Sequence, residues 1–200
     1  RIHEFIFSSS FLVYCFFLVK ISPELSTKSN FKNLKHKFDL TTILLKLTLK
    51  KYIKKDNTIL EIGTGAFGLL SIYFSKYSNK IIDSTDVSAE NIESANINIK
   101  YNKANINLFT SNIFDKIKLK YDIIFWNVPY YYPKEEYLYP LIDTVDKYLN
   151  DEGMLFIGYN SNPLKENDVT SSTRKNKKLK YFKTIKFFWN HHLISLIKKK

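Results

Sequence analysis

The sequence is poor in the residues that build disulfides and metal centres. It contains one cysteine, Cys15, and four histidines among 200 residues. A single cysteine cannot form an internal disulfide, and this favours a reducing compartment, for which we expect the cytoplasm. His191 and His192 are adjacent, so their side chains do not face the same way, and no cysteine or aspartate pattern accompanies them. We therefore predict no metal site and place both histidines on the surface.

Long apolar runs are also lacking. The most apolar stretch, residues 5–19, contains three serines and is shorter than the ~20 residues that a membrane-spanning helix needs. No small-residue cleavage site follows it cleanly, as a signal peptide would require. We therefore expect this stretch to be buried against the protein rather than inserted in a membrane. Residues 1–37 form the predicted N-terminal extension, and 38–200 form one domain.

Acidic residues are in the minority, with 19 Asp and Glu against 31 Lys and Arg, which gives a formal charge of +12. A basic surface attracts polyanions, and RNA is the obvious candidate. The excess is nearly all lysine, however, and an AT-biased genome would also produce a chain rich in lysine, asparagine and isoleucine. Both explanations stay open. If the charge is functional, we expect the basic cluster at 174–178 to assist polyanion binding.

Apolar segments of strand length alternate with amphipathic helices along the chain. We predict strands at 58–62, 80–87, 105–109, 121–126 and 154–159. Helices are predicted at 41–53, at 69–77, after the N-cap Ser88 and from Pro140. This alternation predicts an α/β fold with a Rossmann-like, doubly wound and mostly parallel sheet. Strands at 181–188 and 192–197 would add a C-terminal antiparallel hairpin, which makes seven strands.

The connections between these elements are predicted to be irregular. Residues 22–37 are polar and basic and are expected to form a connector. Residues 150–153 are expected to form a turn before the fifth strand. Residues 161–180 are again polar and basic, and we predict a mobile loop there.

Three of the five glycines fall in one segment, residues 61–68 (EIGTGAFG), between a predicted strand and a predicted helix. Glycines let the backbone turn sharply beside a ligand, and the new helix offers its N-terminus to polar groups. Asp86 ends the next strand, where a carboxylate can accept hydrogen bonds from ribose hydroxyls. These features fit a nicotinamide enzyme or a methyltransferase. Glu61 favours the second, because an acid there suits a methionine amine and opposes a pyrophosphate.

The fourth strand (YDIIFW) runs directly into residues 127–130 (NVPY). With ILEIGTGAFG, TDVS and SNIF before it, the segment YDIIFWNVPYY resembles class I S-adenosylmethionine-dependent methyltransferases that carry an N-P-P-Y signature. The resemblance covers roughly residues 38–160. That group includes protein-glutamine enzymes acting on release factors or ribosomal proteins, and N6-adenine or N2-guanine enzymes acting on RNA or DNA. The resemblance implies a nitrogen methyltransferase acting on RNA or a protein of the translation apparatus.

The resemblance also implies which residues bind the cofactor, S-adenosylmethionine. Glu61, Gly63 and Gly65 would hold its methionine part. Asp86 would hold the ribose, with Val87 against the adenine.

Two further cofactor contacts are implied, and the first of them departs from the family pattern. Asn112 stands where the family often has aspartate, and its side-chain carbonyl can still accept a hydrogen bond from the adenine amino group. Phe38 and Asp39 stand where related enzymes have a segment that covers the cofactor.

The implied catalytic residues are Asn127, Pro129 and Tyr130. An amide or aromatic amine is a poor nucleophile because its lone pair is delocalised. The side-chain oxygen of Asn127, which also adjoins the cofactor, and a nearby main-chain carbonyl can each accept one N–H and so fix the nitrogen in line with the methyl group. Tyr130 can stack on the planar substrate. Val128 replaces the family's proline, which is expected to loosen the backbone.

Three other functions are compatible with parts of the sequence. One is a methyltransferase for small molecules. Another is a non-catalytic module that binds RNA or a partner, for which the departures at Asn112 and Val128 leave room. A nicotinamide oxidoreductase is disfavoured, because no hydride-transfer constellation is present.

Overall fold

The computed structural model describes residues 18–27, 40–129, 133–186 and 191–200. The strands in these ranges are β1 (Ile59–Ile62), β2 (Ile82–Asp86), β3 (Ile106–Thr110), β4 (Tyr121–Asn127), β5 (Leu149–Asn160), β6 (Leu179–Lys186) and β7 (His192–Lys199). The helices are α1 (Pro23–Thr27), α2 (Leu40–Leu49), α3 (Leu69–Ser75), α4 (Ala89–Tyr101), α5 (Leu138–Thr144) and α6 (Glu166–Lys175), and a short 3₁₀ helix (Val145–Lys147) follows α5.

The seven strands form one sheet in the order β3-β2-β1-β4-β5-β7-β6. Strands β1 to β5 are parallel, and β7 pairs antiparallel with both β5 and β6. This confirms the predicted α/β class and the C-terminal hairpin. The strand order reverses between β1 and β4, and in open α/β sheets such a reversal opens a crevice at the carboxyl ends of the strands.

Apolar side chains cover both faces of the sheet. On one face Ile59 and Phe125 pack with α2, α3 and α4, and on the other face Leu60 and Ile124 pack with α5 and α6. Burial on both faces explains why β1 and β4 are almost continuously apolar in sequence.

Part of the predicted N-terminal extension belongs to this core. Val19 and Leu25 are buried with the first face, and the backbone N–H of Ser22 donates to Asn98 Oδ1 at 3.0 Å. Residues 23–27 therefore form helix α1, where the sequence predicted a connector. The apolar stretch up to residue 17 and the remainder of that connector, residues 28–37, lie outside the described residues.

The prediction of a mobile loop at 161–180 is wrong. This segment contains helix α6 and the beginning of β6. The carboxylate of Asp168 accepts the backbone N–H of Lys165 at 2.9 Å and so fixes the first turn of the helix. The buried face of α6 is formed by Val169, Ser172 and Thr173. Because that face has only one aliphatic residue, the apolar periodicity that usually marks a helix is missing.

The predicted turn at 150–153 is instead part of the long strand β5. Leu149 pairs with Tyr121, and the ladder resumes with Met154 opposite Ile123. The residues between bulge out of the ladder, and Glu152 has a φ of 64°. The turn signal in the sequence therefore marks an interruption within a strand.

Asp122 ties together the beginnings of three strands. Its Oδ2 accepts the backbone N–H of Thr58 at 2.8 Å and the Thr58 hydroxyl at 3.0 Å, and its Oδ1 accepts Asn150 Nδ2 at 2.8 Å. Burial raises the pKa of Asp122, but the hydrogen bonds from Asn150 and Thr58 outweigh it, so the pKa lies below its usual value. The ionised carboxylate therefore stabilises the folded state.

We predict that Asp122→Asn lowers the free energy of unfolding by about 1–2 kcal/mol at pH 7, as for lost hydrogen bonds to a charged group. A depressed folded-state pKa gives stability that is present above the unfolded pKa of ~3.9 and is lost as the pH falls through the folded pKa. The difference between the two proteins should therefore shrink below about pH 4. Urea unfolding across pH tests this. Asp151→Asn, at a carboxylate 92% exposed in an ion pair with Lys199, is the control and should have little effect.

Candidate active site

A cleft of about 230 Å³ opens at the carboxyl ends of β1, β2 and β4. It is bordered by nearly all the site residues that the sequence predicted: Glu61, Gly63, Gly65, Asp86, Val87, Asn112, Asn127 and Pro129. Tyr130, Phe38 and Asp39 lie outside the described residues. The structure therefore brings the described candidates to one place, while their individual roles stay predictions.

The glycine turn has a left-handed backbone, with φ of 67° at Gly63 and 64° at Gly65. A side chain at Gly63 would place its Cβ 2.5 Å from Nε1 of Trp126, so packing against the sheet already requires glycine there. At Gly65 a Cβ would meet no atom within 4 Å. Gly65 is thus the position where the missing side chain leaves open room in the cleft.

Asp86 holds this turn against the next helix. Its Oδ2 accepts the backbone N–H of Gly65 at 2.9 Å, and its Oδ1 accepts Ser88 N at 2.9 Å and Asn91 Nδ2 at 3.2 Å. Ser88 caps α4, as predicted, by accepting the backbone N–H of Asn91. A carboxylate has about four lone-pair sites, so Asp86 keeps acceptor capacity beyond these three donors.

Glu61 has a structural role that the sequence did not reveal. It is 4% exposed, and its Oε2 accepts the hydroxyls of Thr64 and Ser84 at 3.1 Å each, the backbone N–H of Ser71 at 3.2 Å, and the Ser71 hydroxyl. Burial raises the pKa of Glu61, and the hydrogen bonds from Ser71, Thr64 and Ser84 oppose that rise. Glu61 therefore joins β1, β2 and α3 beneath the cleft.

Asn127 ends β4, beside the glycine turn that follows β1. Its Nδ2 donates to the hydroxyl of Thr42 at 2.9 Å, which fixes the orientation of the amide. It is paired with Gly158 of β5, where a Cβ would lie 3.2 Å from Asn127 Oδ1 and 2.9 Å from Thr41 Cγ2. The absence of a side chain at Gly158 lets helix α2 approach Asn127.

Val128 does not loosen the backbone as expected. Its N–H donates to the carbonyl of Gly158 at 2.8 Å, a hydrogen bond that proline could not make, and its side chain is 8% exposed in the second core. A second cavity of about 210 Å³ adjoins this segment and shares Val128, Pro129 and Tyr137 with the cleft.

Several residues around the cleft carried no usable signal in the sequence. Thr42 belongs to a helix that precedes the first strand, far in sequence from the motifs. Tyr137 borders the cleft and packs edge-on against Trp126, with ring centroids 6.3 Å apart.

The prediction that His192 is a surface residue is wrong: it is half-buried, and its Nδ1 lies 2.5 Å from the hydroxyl of Thr41. His191 is exposed, as predicted.

The described part of the chain contains neither a metal-binding cluster nor a membrane-spanning helix. In that part no group of three His, Cys, Asp or Glu side chains is arranged to hold a metal ion. None of the helices described there has the length and apolar character needed to cross a bilayer.

The site fits S-adenosylmethionine on three observations. Gly65 leaves room in the cleft, Asp86 offers acceptor capacity at the end of β2, and Val87 presents an apolar side chain that is 53% exposed at the rim. The seven-stranded order, with β7 inserted antiparallel between β5 and β6, and the cleft at the point where the order reverses have the architecture of the class I S-adenosylmethionine-dependent methyltransferase fold.

Residues 32–187 match the methyltransferase small domain family, and the chain belongs to that family. It is 34% identical over 115 residues to a ribosomal protein L11 methyltransferase of Clostridium perfringens, a match that covers 57% of this chain and 35% of the relative. It is 32% identical over 127 residues to ribosomal RNA small subunit methyltransferase C of Escherichia coli, covering 62% and 36%. The chain thus spans about a third of these relatives' length.

A solved structure of a methyltransferase from Pyrococcus furiosus extends the likeness to almost the whole chain. It superimposes with a TM-score of 0.76 at 26% identity, and the match covers 97% of this chain and 95% of that one.

We predict that Gly65→Ala weakens binding of S-adenosylhomocysteine by about tenfold, or roughly 1.4 kcal/mol, because the methyl group enters the open part of the cleft. Gly68→Ala is the matched control. Gly68 has a similar φ of 59° and its Cβ would meet only ordinary contacts at 3.6 Å, but it does not border the cleft. Both variants should lose a similar 1–2 kcal/mol or so of stability. Calorimetry that shows equal binding losses in the two variants would contradict this placement.

Proposed function

We propose that this protein transfers a methyl group from S-adenosylmethionine to a nitrogen of a planar amide or amine, in an RNA or a protein of the translation apparatus. The observation that carries the proposal is the position of Asn127. It borders the same cleft as the glycine turn and Asp86, and Thr42 fixes the orientation of its side chain.

The chemistry needs positioning more than activation. The bound cofactor supplies an electrophilic methyl group on its sulfonium. The side-chain oxygen of Asn127 and a main-chain carbonyl of the following segment each accept a hydrogen bond from one N–H group of the substrate. These two hydrogen bonds align the nitrogen with the methyl group. Such alignment contributes up to ~7–11 kcal/mol in well-oriented reactions. As the nitrogen bonds to the methyl group, the bond from that methyl group to sulfur breaks, and the surplus proton on nitrogen passes to water.

The choice of substrate class is supported by the relatives. One is named for ribosomal protein L11 and another for ribosomal RNA. The residues that match the methyltransferase small domain family, 32–187, include the whole lining of the cleft. The methylated molecule is therefore either an RNA or a protein of the translation apparatus.

The direct test is incubation of the purified protein with methyl-labelled S-adenosylmethionine and unmodified ribosomes, followed by separation of RNA from protein. Label in either fraction supports the proposal, and its attachment to nitrogen is checked after hydrolysis. Label only in small molecules would favour the small-molecule alternative. Binding of S-adenosylhomocysteine without any transfer would favour a non-catalytic module.

With the substrate that this labelling identifies, we predict that Asn127→Ala slows single-turnover methyl transfer by about 100-fold, or roughly 3 kcal/mol, as for loss of a preorganised polar group. The affinity for S-adenosylhomocysteine should change little, because the glycine turn and Asp86 remain. If Asn127→Ala keeps the full rate, Asn127 is a strand-ending residue only and the proposal loses its main support.

We also predict that Thr42 acts by positioning Asn127. Thr42→Val keeps the shape of the side chain and removes the acceptor for Asn127 Nδ2. The rate should fall by about tenfold with little change in KM, and Thr42→Ser should restore it. In an Asn127→Ala background, Thr42→Val should have almost no further effect, because coupled residues are not additive. Additive losses would show that Thr42 acts independently.

A further inference from the structure

Among the described residues, Lys and Arg cluster where the strands of the sheet begin. Strands β1 to β6 all point in the same direction, because β7 is antiparallel to both of its neighbours. The residues that precede these strands therefore lie along one edge, here called the amino edge. The five residues before each strand contain twelve Lys and Arg and two acids, in windows 54–58, 77–81, 101–105, 116–120, 144–148 and 174–178. Of these cations Lys116 lies nearer the cleft, because its backbone N–H donates to Ser111 Oγ at 3.2 Å and Ser111 borders the cleft.

The opposite edge, where the cleft opens, has a different balance. In the described windows that follow β1, β2, β3 and β5 there are one lysine, Lys165, and two acids, Glu90 and Asp115. Part of this difference follows from the helices, whose C-terminal ends lie at the amino edge and favour cations, as at Lys100, Arg174 and Lys175. The concentration of charge at this edge nevertheless provides a surface for a polyanion.

Three of the windows form a continuous surface, which we call the amino-edge patch: residues 116–120, 144–148 and 174–178. The first two windows meet where their strands begin, because Tyr121 pairs with Leu149 and its N–H donates to the carbonyl of Tyr148 at 2.8 Å. Asn176 donates to Asp146 at 3.0 Å, and Lys178 pairs with Asp146 at 3.3 Å. The single acid of the patch is thus already neutralised from within it.

The patch is exposed and contains eight Lys and Arg and one acid, and the exposed Asp143 borders it. Lys118, Lys120, Lys147, Arg174 and Lys177 are all exposed. Within the described residues of the patch, Leu119 is the one large apolar side chain that is exposed. Interfaces with proteins have an apolar or aromatic core, whereas interfaces with nucleic acid are polar and strongly positive. The chemistry of the patch therefore favours an RNA backbone over an acidic protein.

We propose that the amino-edge patch is a docking surface for the phosphate backbone of RNA. Strand β4 has 7 residues, so the patch lies about 20 Å from Asn127 at ~3.3 Å per residue. A phosphate bound there does not reach the cleft. The patch would hold a large RNA-containing particle while the group to be methylated enters at the other edge. This docking does not depend on which nitrogen is methylated, or on the protein being an enzyme.

The test is fluorescence anisotropy with a labelled 20-nucleotide single-stranded RNA over a range of salt concentrations. The test variant carries Lys118→Gln, Lys120→Gln, Arg174→Gln and Lys177→Gln. The control variant loses the same charge elsewhere, through Lys46→Gln, Lys134→Gln, Lys165→Gln and Lys186→Gln. Both are first checked for native stability and for binding of S-adenosylhomocysteine.

We expect the amino-edge variant to bind RNA at least about tenfold more weakly near 0.1 M salt, and its salt dependence to be less steep by a slope of about 3, at ~0.7 per phosphate contact. The control variant should retain most of the affinity. Equal losses in the two variants would attribute binding to net charge alone, and a larger loss in the control would place RNA outside the amino-edge patch. Either of these two results would overturn the proposal. It would also be overturned if the protein did not bind RNA at low salt, or if it bound polyglutamate as tightly as RNA.

Discussion

The parallel pairing of β1 with β4 is the constraint on which the site depends. Because Ile62 pairs with Trp126, the next residues along the two strands, Gly63 and Asn127, lie side by side at the carboxyl ends of β1 and β4. Neighbouring strands are ~4.8 Å apart, so a turn that makes room for a ligand and an amide that can orient a nitrogen open into one cleft. The chain reaches this arrangement by crossing back over the sheet after β3, which reverses the strand order at that point.

Hydrogen bonds around this pair of strands explain how two carboxylates can lie buried beside the glycine turn. Glu61 gathers donors from Thr64, Ser71 and Ser84 below the turn, while Asp86 accepts the N–H of Gly65 beside it. A buried carboxylate is tolerated only when it is well hydrogen-bonded. The acids at both positions therefore shape the cleft, and a role in binding the cofactor would be added to that structural role.

Much of this could be predicted from the sequence, because the relevant signals are local. The strands of the parallel sheet are continuous apolar runs, and the glycine turn and the Ser88 cap need only a few neighbouring residues. The contribution of Thr42 could not be predicted, since it depends on where a helix far along the chain packs. Helix α6 was missed for a related reason: its buried face is mostly Ser and Thr, so its stability comes from tertiary contacts rather than from an apolar stripe.

Val128 shows how a departure from a motif can be compensated by the fold. Proline at this position would stiffen the chain but would leave the Gly158 carbonyl without this donor. Valine instead continues the β4–β5 ladder by one hydrogen bond and fills the core with its side chain. Both solutions fix the backbone immediately after Asn127, the first by restricting φ and the second by pairing. The replacement of proline by valine therefore leaves the backbone after Asn127 held in place by the β4–β5 pairing.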